Sequence, residues 1–147
     1  MPIPVKVKKL DPRAKLPAYG SAYAAGADLC ALSDSPIDIP PHTTVLIRTG
    51  IAAEIPEGYA GLIYARSGLA TKRSLAPANK VGVIDADYRG EIMVALHTHS
   101  DAPQSIDPGE RIAQLVITPF LTAAFEEADE LSETVRGDGG FGSTGMK

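Results

Sequence analysis

Hydrophobic and polar positions along this chain change over at short intervals. Residues 5–10, 27–32, 45–55, 60–65, 91–97 and 112–120 either alternate apolar with polar or run apolar at strand length. That period and those lengths predict β-strands rather than amphipathic helices. Turn signals separate the segments: Pro40-Pro41, Pro56-Glu57-Gly58, Asp87-Tyr88-Arg89-Gly90 and Asp107-Pro108-Gly109-Glu110. In the last of these, proline in second place and glycine in third suit a type II turn, which needs a positive φ where the glycine sits. One short helix is expected, starting near Ser67 and running through Leu69-Ala70-Thr71-Lys72. Residues 124–131 have helical propensity by composition, and the pattern alone does not decide their state. Many short strands at this spacing predict an all-β sandwich or barrel with at most one short helix.

Length and composition sharpen this. A chain of 147 residues favours one domain. Apolar residues at 44% against 22% charged give it enough to bury for a real core. The net charge of −4 argues against coating a nucleic-acid backbone or an anionic membrane by electrostatics, so neither partner is expected. Cys30, the single cysteine, excludes an intrachain disulfide framework and a multi-thiolate zinc site from one chain. It also excludes the zinc nucleobase deaminases, which need a P-C-x-x-C pair. Met1-Pro2-Ile3-Pro4 begins no stretch of signal-peptide type and nothing approaches a membrane span, so the cytoplasm is the expected compartment.

Residues 133–147 are different in kind from residues 1–132, which carry the expected domain. Half of residues 136–145 are glycine, with almost nothing to bury. Composition reads this as a disordered tail. The alternative is a flap that orders over a polyanion, because glycines let successive backbone N–H groups converge on phosphate oxygens. Residues 137–144 nearly fit the Walker A pattern, but Ser143 stands where the lysine must be, so this is not a P-loop.

Four further clusters combine glycine with charge. Gly26-Ala27-Asp28 puts an acid after a flexible entry into a strand, alone no more than a turn signal. Arg66-Ser67-Gly68 offers a guanidinium, a hydroxyl and a free N–H at a helix start; it is either an anion site or an ordinary cap with a solvated arginine. Residues 82–90 pack Asp85, Asp87, Tyr88 and Arg89 into an expected tight hairpin: a polar turn, or a general base beside a ring. Residues 108–115 form a turn feeding a strand, with Arg111 and Gln114 three apart and therefore on opposite faces of a regular strand. His97 and His99 alternate onto one face without a nearby third ligand, and Cys30 reads as a small buried hydrophobe.

In order and spacing these five clusters resemble the five motifs of the trimeric dUTPases (deoxyuridine 5′-triphosphate nucleotidohydrolases), over roughly residues 20–145. The resemblance implies a β-jelly roll, a homotrimer with active sites shared between subunits, and hydrolysis of dUTP to dUMP and pyrophosphate with Mg²⁺ on the triphosphate. It implies Asp85 as general base, Asp28 holding magnesium through water, and Arg66, Ser67, Gly68 and Gln114 on phosphate oxygens. Asn79 and the backbone of Val83, Ile84 and Asp85 would read the uracil, with Met93 lining the pocket. Tyr88 would pack on the deoxyribose and exclude a 2′-hydroxyl. In the tail, Phe141 would stack on the base, while Arg136, Gly142, Ser143 and Thr144 would hold the outer phosphates. For residues 124–131 it implies an extended lead into that tail. The sequence departs from the family pattern at Ala65, where many members carry proline, and at His97-Thr98-His99, where an asparagine is common. Two other activities belong with the same pattern: a dCTP deaminase or bifunctional relative on the same fold, and a nucleotide-responsive regulator of a partner protein.

Overall fold

The computed structural model describes residues 1–143 and Gly145. In chain order it contains β1 (Lys6–Lys9), β2 (Ala18–Tyr19), β3 (Ala27–Cys30), β4 (Ile37–Ile39), β5 (Thr44–Arg48), β6 (Ile51–Glu54) and β7 (Tyr59–Tyr64). After these come α1 (Ser67–Arg73), β8 (Leu75–Pro77), β9 (Gly82–Ile84), β10 (Met93–Thr98), β11 (Gln104–Ile106) and β12 (Arg111–Pro119). The fold is the expected all-β jelly roll with one short helix. Among the described residues no helix is long and apolar enough to cross a membrane.

Every strand pairing is antiparallel. The largest sheet runs β2-β3-β12-β7-β9, a second runs β5-β10-β8, and β1-β6 and β11-β4 are two-stranded ribbons. All of them turn apolar side chains into one continuous core. Leu29, Ile39, Ile47, Leu96 and Ile106 are fully buried within it. Alternation explains how single strands serve this arrangement: along β10, Val94, Leu96 and Thr98 face inward and Met93, Ala95 and His97 outward. Buried Thr49 is satisfied, its hydroxyl donating to the Ile92 carbonyl.

Three expectations change. The apolar run 45–55 is two strands, because Gly50 takes φ +73° between β5 and β6 and turns the chain. Residues 82–90 are not a hairpin: β9 pairs with β7 and β10 with β5 and β8, so the segment crosses from one sheet to another. Arg111 and Gln114 do not lie on opposite faces. The register against β3 shifts between Arg111 and Ala113, a bulge that sets Arg111 opposite Cys30 and Gln114 opposite Asp28. Asp28 and Cys30 are two apart and share a face, so Arg111 and Gln114 share it too. The composition-based helical propensity of residues 124–131 is not realised; after Pro119 the chain holds no helix or strand among the described residues.

A methyl group at Gly50 would lie 2.5 Å from Leu32 Cδ2 and 3.0 Å from Ala14 Cβ, at a φ that side chains disfavour. Gly50→Ala is therefore expected to cost about 1–3 kcal/mol, read as a lower urea midpoint at unchanged slope. An unmoved midpoint would show that the β5–β6 turn tolerates a side chain.

Candidate functional site

The expected site residues gather into three groups. The first is built on β9 and the crossing that follows it. β9 is the outermost strand of the largest sheet, so its free edge presents backbone N–H and C=O groups that no strand pairs among the described residues. Beside it opens a cavity of about 300 Å³ whose wall includes Asn79, Val83, Ile84, Asp85, Tyr88 and Met93. That volume lies at the small end of ligand-binding clefts. Gly82 brings β9 close to its neighbours, since a Cβ there would stand 3.3 Å from Ile63 Cβ and 3.4 Å from Asn79 Nδ2. A turn closed by Tyr88 N donating to Asp85 O at 3.1 Å sets the exposed Asp85 carboxylate and the Tyr88 ring along one rim.

The cavity also uses residues that sequence reasoning did not single out. Leu46 reaches it from β5 with 58% of its surface exposed, and Glu91 and Ile92 close the wall beside Met93. Arg48 grips the Glu91 carboxylate, Nε donating to Oε2 and Nη2 to Oε1, each at 3.0 Å. This contact pushes the arginine above its usual range. No local signal marks the pair, because Arg48 and Glu91 are 43 positions apart.

The second group sits where β3, β12 and the start of α1 meet. Arg66 Nε donates to Asp28 Oδ1 at 3.0 Å, with the two side chains only 27% and 17% exposed. Arg111 Nη1 reaches Asp28 Oδ2 at 3.4 Å. Gln114 donates from Nε2 to the Ala65 carbonyl at 2.8 Å and so fixes the residue before Arg66. A Cβ on Gly26 would run into the Gln114 amide, so that glycine is required by space. Ser67 and Gly68 open α1 on the exposed side, and no side chain caps the helix. At the other end of α1, Arg73 donates from Nη1 to Glu110 Oε1 at 2.5 Å and from Nη2 to the Ser105 carbonyl, tying the helix to the turn before β12. None of these second-group residues lines the cavity at β9.

The third group is the C-terminal segment. Arg136 donates to the Gly139 carbonyl at 2.8 Å, and Ser143 N to Gly140 O at 2.9 Å, so the segment folds into turns of its own. Phe141 and Gly142 are exposed with positive φ. Thr144 lies outside the described residues.

Among the described residues no three His, Cys, Asp or Glu side chains gather as a metal cage. His97 Nδ1 is 2.9 Å from Thr44 Oγ1, and its ring packs edge-on against His99 with centroids 4.7 Å apart. Cys30 is half-buried rather than fully buried, and burial pushes its thiol up, away from the reactive thiolate.

The dUTPase family model matches residues 12–145. The deoxyuridine 5′-triphosphate nucleotidohydrolase of Hydrogenobaculum sp. is 53% identical over 141 residues, covering 96% of this chain and 97% of the relative. That of Syntrophotalea carbinolica is 48% identical over 144 residues, covering 98% of each. Among solved structures, the Staphylococcus bacteriophage 80alpha dUTPase with dUpNHpp superposes with a TM-score of 0.88 at 30% identity, covering 97% of this chain and 99% of that one. The class defined by fold and site is thus a jelly-roll enzyme. More particularly, the chain belongs to the dUTPase family.

The Asp28 carboxylate is held by partly buried charged bonds, and removing its charge leaves Arg66 and Arg111 without a counter-ion. Asp28→Asn is expected to cost about 1–3 kcal/mol by urea denaturation. A midpoint unchanged from the parent would mean that the ion pair adds nothing to the fold.

Proposed function

We propose that this chain hydrolyses dUTP to dUMP and pyrophosphate. The observation that carries the reading is the cavity at the free edge of β9, which gathers an amide, a carboxylate and an aromatic ring at Asn79, Asp85 and Tyr88. Family membership and the dUpNHpp-bound phage relative support it. Asn79 and the β9 edge present donors and acceptors to uracil, and Tyr88 closes the sugar side. Asp85 takes a proton from water as the water oxygen bonds to the α-phosphorus. The bond from that phosphorus to the oxygen bridging the α and β phosphates breaks, and pyrophosphate leaves with the electron pair. Arg66, with the Ser67 and Gly68 groups at the start of α1, stabilises the charge that shifts onto the phosphate oxygens. Gln114 joins them on the phosphate oxygens, and its bond to the Ala65 carbonyl also holds the approach to Arg66.

One carboxylate, already shared with arginine, suits an outer-sphere role toward Mg²⁺, a cation that keeps its waters and takes inner ligands from substrate phosphates. Asp28 is the residue that would hold it through water, and the ion would neutralise triphosphate charge.

The reading includes a homotrimer with shared sites. Two observations support it. The Asp28–Arg66 group does not line the cavity of its own chain, which leaves room for a second chain to complete the site. The C-terminal segment leaves the body with apolar side chains in water: Leu121 is 97%, Phe125 96% and Leu131 90% exposed. Such a surface calls for a partner. Residues 133–147 would then act as a flap on another subunit's body (residues 1–132), with Phe141 over the base and Arg136, Gly142, Ser143 and Thr144 on the phosphates. Closure would expel water and strengthen the charged contacts.

Pyrophosphate release from dUTP, dCTP, dTTP and UTP, each with and without Mg²⁺, tests the activity. Turnover is expected for dUTP, with Asp85→Asn lowering kcat by about 10²–10⁴-fold while dUTP binding largely survives. Comparable turnover of all four nucleotides, or ammonia from dCTP, would overturn the reading.

The shared site is tested by mixing two inactive variants, Asp85→Asn with an intact tail and a deletion after Val135 with intact Asp85. Co-refolded at equal concentration, the chains mix at random. Roughly one quarter of sites then gain both a working base and a working tail from different chains of a closed ring. No recovery, with mixed trimers confirmed by native mass spectrometry, would mean that each tail serves its own subunit.

A further inference from the structure

The Tyr88 ring does not project freely from the crossing after β9. It folds back over Gly90, so that a Cβ at Gly90 would lie 2.5 Å from the Tyr88 hydroxyl oxygen, 2.7 Å from Cζ and 3.0 Å from Cε1. Gly90 does not have a left-handed φ, so backbone conformation leaves room for other residues there. Space beneath the ring is what excludes them.

The hydroxyl end is held as well. Tyr88 donates to the Glu91 carbonyl at 2.7 Å. Glu91 in turn is anchored on both sides: Arg48 of β5 grips its carboxylate, and Ile92 N donates to the Ile51 carbonyl at 2.8 Å on the core side. The ring therefore rests on a short segment fastened to two strands, and it forms part of the cavity wall in that position.

We propose that Gly90 determines sugar specificity as a positioning residue, its missing side chain and the Glu91 carbonyl forming the seat that holds the Tyr88 ring where a 2′-hydroxyl would stand. This rests on the reading of Tyr88 as the residue that closes the sugar side. Any side chain at 90 lifts the ring off its seat, the hydroxyl loses the Glu91 carbonyl, and the wall retreats from the sugar.

The test compares kcat/KM for UTP and dUTP in the parent, Gly90→Ala, Tyr88→Ala and the double variant. Gly90→Ala is expected to raise the UTP-to-dUTP ratio by about tenfold or more, the scale on which small steric changes in a pocket discriminate. In the Tyr88→Ala background it should raise the ratio no further, because it acts through the ring it displaces. If Tyr88→Ala raises the ratio and Gly90→Ala does not, the seat is overturned and the sugar-side role of Tyr88 stands. If neither raises it, the role of Tyr88 falls and the seat with it. A rise from Gly90→Ala that persists in full on top of Tyr88→Ala also overturns the seat, since Gly90 then acts by another route. Should Gly90→Ala fail to fold, as read by melting, Tyr88→Phe decides: it keeps the ring and removes the bond to Glu91. A severalfold rise in the ratio supports the seat, and an unchanged ratio overturns it.

Discussion

The geometry of the group around Asp28 and Arg66 depends on one irregularity in one strand. β12 is paired along its length, to β3 on one edge and β7 on the other, so its residues have no freedom to choose a face. An unbroken two-residue alternation would put one of Arg111 and Gln114 into the core, where an unpaired guanidinium or amide costs several kcal/mol. The bulge between Arg111 and Ala113 absorbs one residue and lets Ile112 and Ala113 both be buried. Arg111 and Gln114 then emerge together beside Asp28. From there the dependence is sequential: Gln114 holds the Ala65 carbonyl, Asp28 holds Arg66, and α1 starts where those two contacts leave it. Arg73 and Glu110 fasten the far end of the same helix, so the residues just before β12 and those within it fix both ends of α1.

The Asp28–Arg66 group does not line the cavity at β9. In the proposed reading, base recognition falls to the cavity and charge stabilisation to the Asp28–Arg66 group. In the proposed trimer the division links assembly to activity, because a lone chain would offer the parts of a site without their juxtaposition. The exposed arm adds a driving force in the same direction. Burying a Leu or Phe side chain is worth roughly 1.5–3 kcal/mol, and Leu121, Phe125 and Leu131 stand in water on the single chain. The turns at residues 136–143 add local hydrogen bonds but little apolar surface, which in the proposed trimer suits a segment that docks through its stem and closes through its tip.

Sequence reasoning read the chain well where pattern and position coincide. The longer strands β7, β10 and β12 and the helix at Ser67 lie where alternation and turn signals put them. The strands it missed, β2, β4, β8, β9 and β11, are two or three residues long and exist because a distant partner pairs with them. Residues 82–90 looked like a hairpin because both ends carry glycine and the middle is polar. The partner of β9 is instead β7, earlier in the chain, which no local window contains. The same limit applies to the site. Glycine beside charge pointed to the segments around Asp28, Arg66, Asp85 and Gln114, while Asn79 entered only through the family resemblance, and Leu46 and the Arg48–Glu91 pair became visible only once β5 and β10 were in register. The bulge in β12 was invisible for a further reason: alternation predicts faces only while the register is unbroken.

Glycine itself carries two different meanings in this chain, and the difference matters for the site. Gly50 is set by conformation, since its positive φ turns β5 into β6, although Leu32 and Ala14 crowd it as well. Gly26 and Gly90 have ordinary backbone angles and are set by what lies over them, the Gln114 amide in one case and the Tyr88 ring in the other. In a turn of the first kind, a side chain strains the backbone and the loss appears as stability. At a position of the second kind, the neighbour that must yield is a side chain of the proposed site, so the loss falls first on that side chain's position. In the proposed site, residues 26 and 90 thus matter although neither offers it an atom, each being the absence that gives a nearby side chain its place.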